Sequence, residues 1–268
     1  MSDLEIPVNI SSIGFPNAIE WFLTLLLSSL RIGAFFIAAP LYGSMSIPSQ
    51  VKLVTILSVA FFFMPNVDLQ AIRGFDESTF ILFILGEILI GLALGLVLTV
   101  IFSAAALAAE VIAATSGLGF AAQIDPNTTA QSPVLSQFFS LFLITIFLTL
   151  NGHVAVINIL KNTYEVVPFG GADRISETAE YVFASGKDMY SWALKIALPF
   201  VFTIFLINLT IGIVTRSAPQ LNLFSFGFPI TLISIFILLY VMADILGWSF
   251  RDLITDSLRN LADIFGRK

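Results

Sequence analysis

Six ionisable residues stand inside or against long apolar runs: Arg31, Glu87, Glu110, Lys195, Arg216 and Asp244. A charge at the centre of a bilayer costs roughly 2.5 to 3.5 kcal/mol unless it is paired or hydrated, so each of the six needs a reason to be there. Two reasons compete. Interhelical ion pairing, or snorkelling at a helix end, is structural; proton or ion coupling is chemistry. Arg31 has about ten apolar residues on either side and is the worst placed of the six to snorkel, so it requires a buried anion or a carbonyl-lined site.

Catalytic constellations do not assemble from the other residues. The chain has no cysteine, which removes thiolate nucleophiles, disulfides and cysteine-ligated metals. His153 is the single histidine, so no His-Glu-x-x-His zinc motif exists, and Ser116-Gly117 lacks the upstream glycine of a nucleophile elbow. General acid-base or nucleophilic work needs at least two groups within hydrogen-bond reach. The expectation is no enzyme, no metal and no cofactor.

Composition says where such a chain lives. Of 268 residues 57% are hydrophobic and 11% charged, with 27 Phe, and the mean hydropathy is +0.97. A soluble domain carries about twice that share of charge, so lipid or other membrane helices must cover the surface. The net charge of −6 and the absence of a Lys/Arg cluster exclude nucleic acid as a partner. Residues 1–160 hold three basic residues (Arg31, Lys52, Arg73) against nine acidic ones. The acidic start MSDLEIPVN is unlike a secretory signal, so the first apolar run is expected to be retained.

Six apolar stretches must position these charges: Trp21 to Leu41, Leu53 to Met64, Phe80 to Ala109, Val134 to Leu160, Trp192 to Val214 and Phe228 to Phe250. A spanning helix needs about 20 residues. Leu53 to Met64 is too short, Phe80 to Ala109 is too long, and Val134 to Leu160 is broken at Asn151-Gly152-His153. Pro168-Phe169-Gly170-Gly171 predicts a turn followed by a polar surface helix. Such irregular lengths predict an all-α membrane protein of helical hairpins packed on protein, read as one integral membrane domain over 1–268. Its last segment, 251–268, is expected to be an amphipathic helix whose stripe Leu253, Ile254, Leu258, Leu261, Ile264 and Phe265 docks on a partner subunit or on the membrane surface.

Two further segments carry spacing signals. Gly86, Gly91 and Gly95 share a helix with the run Ala104 to Ala109, and Gly91-x-x-x-Gly95 is the spacing that lets helix backbones touch. The stretch from Ser116 to Pro126, which contains Gly117, Leu118, Gly119, Phe120, Gln123, Asp125 and Pro126, is an apolar loop between apolar helices. Irregular backbone at membrane depth is tolerated where it is buried in protein or lines a cavity. A constriction in a channel and an ordinary surface turn both fit this loop.

In order along the chain, Arg31, Pro40, Ile47-Pro48, Lys52, Pro65, Gly86-Glu87, Gly91, Gly117 to Asp125-Pro126, Asn151-Gly152-His153 and the run Arg216 to Pro229 resemble the FliR family of flagellar type III export-gate proteins. The related injectisome family, SctT, shares the Asp-Pro and Pro-Gln-Leu-Asn elements, and Phe226-Gly227-Phe228-Pro229 is closer to the flagellar branch. The resemblance implies a subunit of a helical hetero-oligomer with FliP and FliQ around a closed pore. FlhB and FlhA are then further partners, unfolded flagellar proteins the cargo, and the bacterial inner membrane at the flagellar basal body the location. It also implies that the loop from Gly117 to Asp125 is the pore plug with Phe120 as its bulky residue; where some members carry a second Phe, this chain has Gln123. The readings left beside it are the injectisome subunit and a proton-coupled secondary transporter using Glu87, Lys195 or Asp244.

Overall fold

The computed structural model of the protein describes residues 18–44, 47–64, 77–118, 134–167, 175–218 and 227–265, and no strand occurs among them. Eight helices follow in order: α1 Ala18–Ala38, α2 Ser49–Phe63, α3 Glu77–Ser116, α4 Val134–Thr149, α5 Gly152–Val166, α6 Ile175–Ser217, α7 Phe228–Val241 and α8 Ala243–Phe265. The chain is an all-α membrane protein. Segments of α1, α3 and α6 are each long and apolar enough to cross a bilayer, and the pairs α4–α5 and α7–α8 meet the same test together although each is sharply bent.

Local sequence explains most of the boundaries. Pro48 stands at the N-cap of α2, and its carbonyl accepts the N–H groups of Val51 and Lys52 at 3.0 and 3.2 Å. Pro229 lies in the first turn of α7, where a missing N–H costs nothing. Between α4 and α5, Asn151 adopts φ 55°, a left-handed conformation that Asn tolerates better than most residues. The Asn151 carbonyl then accepts the N–H groups of Val154 and Ala155, both at 3.0 Å, which starts α5. A Cβ on Gly152 would lie 2.5 Å from the Phe147 ring, so a residue without a side chain is required at the 69° bend.

Three sequence expectations are corrected. The polar helix expected after the turn at Pro168, a turn that itself lies outside the described residues, and the span expected from Trp192 form one helix, α6. Pro199 lies inside this 43-residue helix, and the helix continues past it. The stretch Phe228 to Phe250 does not form one span: it bends by 65° between α7 and α8. Met242 sits there at φ −98°, ψ 12°, outside helical geometry, while its carbonyl accepts the Leu246 N–H at 2.9 Å and so caps α8. Asp244 in the first turn of α8 favours a helix start by facing the positive end of the dipole.

The third correction concerns the tail. Leu253, Ile254 and Leu261 of that stripe are buried, Leu258 is half-buried, and Leu246 and Phe250 earlier on α8 are buried with them, so these positions pack within the chain. The side chains of Ile264 and Phe265 lie outside the described residues. The pattern announced a buried face, and that face is covered by the protein's own core: the Phe250 ring packs against Phe139 and Phe142 of α4 with centroids 5.6 and 5.7 Å apart.

Contacts gather into two compact units, one of residues 1–98, 157–182 and 262–268, the other of residues 99–156 and 183–261. In the first, α1 packs on α2 and on the N-terminal part of α3 around Ile32, Phe35 and Phe63. Lys52 donates to the Gly43 carbonyl at 2.9 Å, which ties the start of α2 to the turn after α1. In the second, Ala104, Ala105, Ala108 and Ala109 of α3 have no exposed surface, and Ser136 of α4 donates to the Ala106 carbonyl at 3.3 Å. Phe102 meets Phe147 edge-on at 5.6 Å.

The inward α8 face makes a prediction. Leu253→Asp with Leu261→Asp should destabilise the chain taken alone by about 3 kcal/mol or more, because each carboxylate enters a close-packed apolar interior. Thermal unfolding of the detergent-extracted chain, without partners, measures this. A wild-type melting curve would mean that the stripe faces outward after all.

Candidate functional site

Arg31 and Glu87 meet inside the first unit. Arg31, in α1, has no exposed surface, and Glu87, in α3, is 2% exposed. The pairing is a bidentate fork: Arg31 Nε donates to Glu87 Oε2 at 2.8 Å and Nη2 donates to Oε1 at 2.9 Å. That geometry suits a planar guanidinium and could not be reproduced by lysine.

Two more donors are used on α5 and just beyond it. Arg31 Nη1 donates to Thr163 Oγ1 and Nη2 to the Val167 carbonyl, each at 3.0 Å. Thr163 in turn donates to the Leu160 carbonyl at 2.6 Å, so its hydroxyl is held in place to accept. The guanidinium carbon lies 4.3 Å from the centre of the Tyr164 ring, a cation–π contact that strengthens where water is excluded. The Tyr164 hydroxyl donates to the Ser28 carbonyl at 2.8 Å, one turn before Arg31. Tyr164 also packs edge-on against Phe63 of α2 at 6.1 Å. One side chain of α1 thus gathers α3 and α5, and its aromatic neighbour brings in α2.

The approach of α1 to α3 depends on missing side chains. Gly91 and Gly95 follow Glu87 at i+4 and i+8, on the same helix face. A Cβ on Gly91 would land on the carbonyl oxygen of Arg31 itself and 2.9 Å from the Ala34 Cβ; one on Gly95 would lie 2.5 Å from the Ala38 Cβ and 2.9 Å from the Phe35 carbonyl oxygen. The backbones therefore touch, and the Arg31 fork reaches a carboxylate one turn away from the contact. Gly86 is also buried.

The other expected residues do not join this cluster. Glu110, Lys195, Arg216 and Asp244 are exposed. Lys195 lies over the Trp192 ring at 4.3 Å, on its own helix. Of the plug loop, Gly117 and Leu118 are described, whereas Gly119, Phe120, Gln123, Asp125 and Pro126 lie outside the described residues. Gly117 has φ 81°; its N–H reaches the Ala114 carbonyl at 3.4 Å and the Leu118 N–H reaches the Ala113 carbonyl at 3.1 Å. This pair of bonds is a Schellman cap, which makes Gly117 the stop of α3.

Sequence reasoning missed Thr163, Tyr164, Ser28 and Val167. Thr163 lies 132 residues from Arg31, and no local spacing connects the two. Chemically the site is a lock: both carboxylate oxygens of Glu87 are held by one guanidinium.

Comparison with known proteins identifies relatives over most of the chain. A family model described as bacterial export proteins, family 1, matches residues 22–257. The chain is 34% identical over 204 residues to the flagellar biosynthetic protein FliR of Escherichia coli K12, covering 76% of this chain and 77% of that protein. It is 32% identical over 211 residues to the protein of the same name from Aquifex aeolicus, covering 79% and 81%. With the one from Bacillus subtilis 168 it shares 29% over 259 residues, covering 93% and 98%.

Removing one member of a buried pair strands the other, so Arg31→Leu alone should cost about 3 to 5 kcal/mol. Arg31→Leu combined with Glu87→Leu should recover part of that loss, since no charge is then left unpaired. Urea or thermal unfolding of the four chains of this cycle in detergent gives the coupling. Strictly additive losses would show that the two residues act independently.

Proposed function

Because the chain belongs to the bacterial export proteins, family 1, we propose that it is the FliR-type subunit of a flagellar type III export gate in the bacterial inner membrane. In this reading it joins FliP and FliQ around a closed pore, works with FlhB and FlhA, passes unfolded flagellar proteins and has no enzymatic chemistry. The observation that carries the reading is the extent of the family match, which runs from α1 into α8.

Helix lengths support it. The apolar part of α3, Phe80–Ser116, has 37 residues and extends about 55 Å at 1.5 Å per residue. A bilayer core is about 30 Å thick. A helix of nearly twice that length, with 56% of its most apolar window buried within this chain alone, suits a protein assembly better than a lipid environment. The transporter reading loses one of its three candidates, because Glu87 is held in the fork with Arg31.

A gate must seal against ions yet open for a polypeptide, and an apolar constriction does this by excluding water while remaining deformable. Phe120 supplies an uncharged ring for that purpose and Gly119 the backbone freedom beside it. Deleting Gly119 to Ala122, while leaving the helix stop at Gly117 intact, should give a complex that assembles but leaks ions; Phe120→Ala should leak less. Conductance or small-molecule uptake in cells expressing each variant decides. An assembled, tightly sealed deletion mutant would remove the plug role.

A further inference from the structure

We propose that α6 meets lipid over half of its length only: in the chain by itself, residues 196–215 cross the bilayer with Lys195 and Arg216 at its two faces, and the helix from Ile175 to Leu194 stands in water. This inference concerns the outer surface of α6 and does not depend on the gate reading.

The charges mark the limits. No Asp, Glu, Lys or Arg occurs between Lys195 and Arg216, and 20 residues of helix rise about 30 Å, the thickness of the hydrocarbon core. Before Lys195 the same helix carries Glu177, Glu180, Lys187 and Asp188, which a bilayer would reject. Basic residues at both limits suit lipid phosphates.

Exposure says which face is wetted by lipid. Leu198, Phe202, Phe205, Leu209 and Ile213 form one stripe, and Phe202 and Ile213 are each 62% exposed. Only 22% of the most apolar window of α6 is buried, against 56% in α3. Asn208, the single amide of the segment, is also exposed, about a quarter-turn off this stripe.

Threonine hydroxyls inside the limits are satisfied as hydrocarbon demands. Thr203, Thr210 and Thr215 return their hydroxyls to the carbonyls of Pro199, Leu206 and Gly212 at 2.8, 2.9 and 3.1 Å. Pro199 has no N–H, so the helix bond it forfeits is the one to the Lys195 carbonyl. That carbonyl sits at the proposed boundary, where water or headgroups can supply the partner.

Aromatic placement agrees independently. The second unit has four Tyr and Trp residues: Tyr190 and Trp192 just before Lys195, and Tyr240 and Trp248 around the α7–α8 bend. Residues 196–239 contain none. Trp192 lies under Lys195 at 4.3 Å and Trp248 under Arg251 at 5.4 Å, and Tyr240 is 84% exposed. Paired aromatic and basic side chains of this kind collect at the headgroup level.

The chain has no cysteine of its own, so single cysteines report directly. The full chain is reconstituted alone in phosphatidylcholine and phosphatidylglycerol vesicles with Gly186→Cys, Leu198→Cys, Phe202→Cys, Phe205→Cys, Leu209→Cys or Ile213→Cys. The five within 196–215 should react with a membrane-impermeant maleimide about tenfold or more slowly than Gly186→Cys. Labelled with an apolar fluorophore before reconstitution, Phe205→Cys should be quenched best by deeply brominated lipid and Leu198→Cys and Ile213→Cys by shallowly brominated lipid. The protected window should widen in longer-chain lipid. Free labelling within 196–215, protection without quenching, or a window that ignores lipid length would each overturn the proposal, the last two by pointing to a protein cover.

Discussion

An arginine with no exposed surface has to be neutralised where it sits, and in the first unit almost every contact of consequence answers that demand. Arg31 lies in the middle of α1, too far from either end to reach water, so its partners must come to it. Glu87 arrives from α3, the Thr163 hydroxyl and Val167 carbonyl from α5 and its end, and the Tyr164 ring covers the flat face. A hydrophobic cluster of the same volume would tolerate sliding between helices; a bidentate fork fixes one register. Small residues make that register attainable, because the α1 backbone comes into contact with α3 at Gly91 and Gly95.

Charge and glycine are thus parts of one device. The close approach without the ion pair would leave two smooth helix faces in contact, free to shift by a turn. The ion pair without the close approach could not form, because a side chain at position 91 would occupy the space of the Arg31 carbonyl. Membrane helices gain little from burying apolar surface, since lipid is as apolar as leucine, and so depend on packing and polar contacts of this kind.

Much of this was legible in the sequence, though not all of it was assembled there. The isolation of Arg31, the cost of Glu87 and the Gly91-x-x-x-Gly95 spacing could each be read, and Glu87, Gly91 and Gly95 at i, i+4 and i+8 even share one face. Their common partner could not be read, because the sequence does not say which of the acids answers Arg31 or which helix lies against Gly91 and Gly95. The break at Asn151-Gly152 was visible as a turn dipeptide. The bend at Met242 was not, since no Gly or Pro marks it and the cause is a helix start at Asp244. For α8 the periodicity gave the apolar face correctly, but periodicity does not say what covers a face; Phe139 and Phe142 of α4 do. Composition gave a polar helix after Pro168 and an apolar stretch from Trp192 without revealing that both are parts of α6.

Gly117 shows how one residue type can serve a mechanism in two opposite ways. Read as sequence, a glycine in an apolar loop suggests backbone freedom. In the fold it has φ 81° and closes α3 through a Schellman cap, a conformation chosen because other residues avoid it and held by two hydrogen bonds. Such a glycine stiffens the end of the helix. Upstream on that same helix, Glu87 is fixed by Arg31 and Gly91 and Gly95 are pressed against α1. On α3 glycine thus serves twice, for the close approach of a neighbouring backbone and for one torsion angle that other residues avoid, and in neither place for freedom to move.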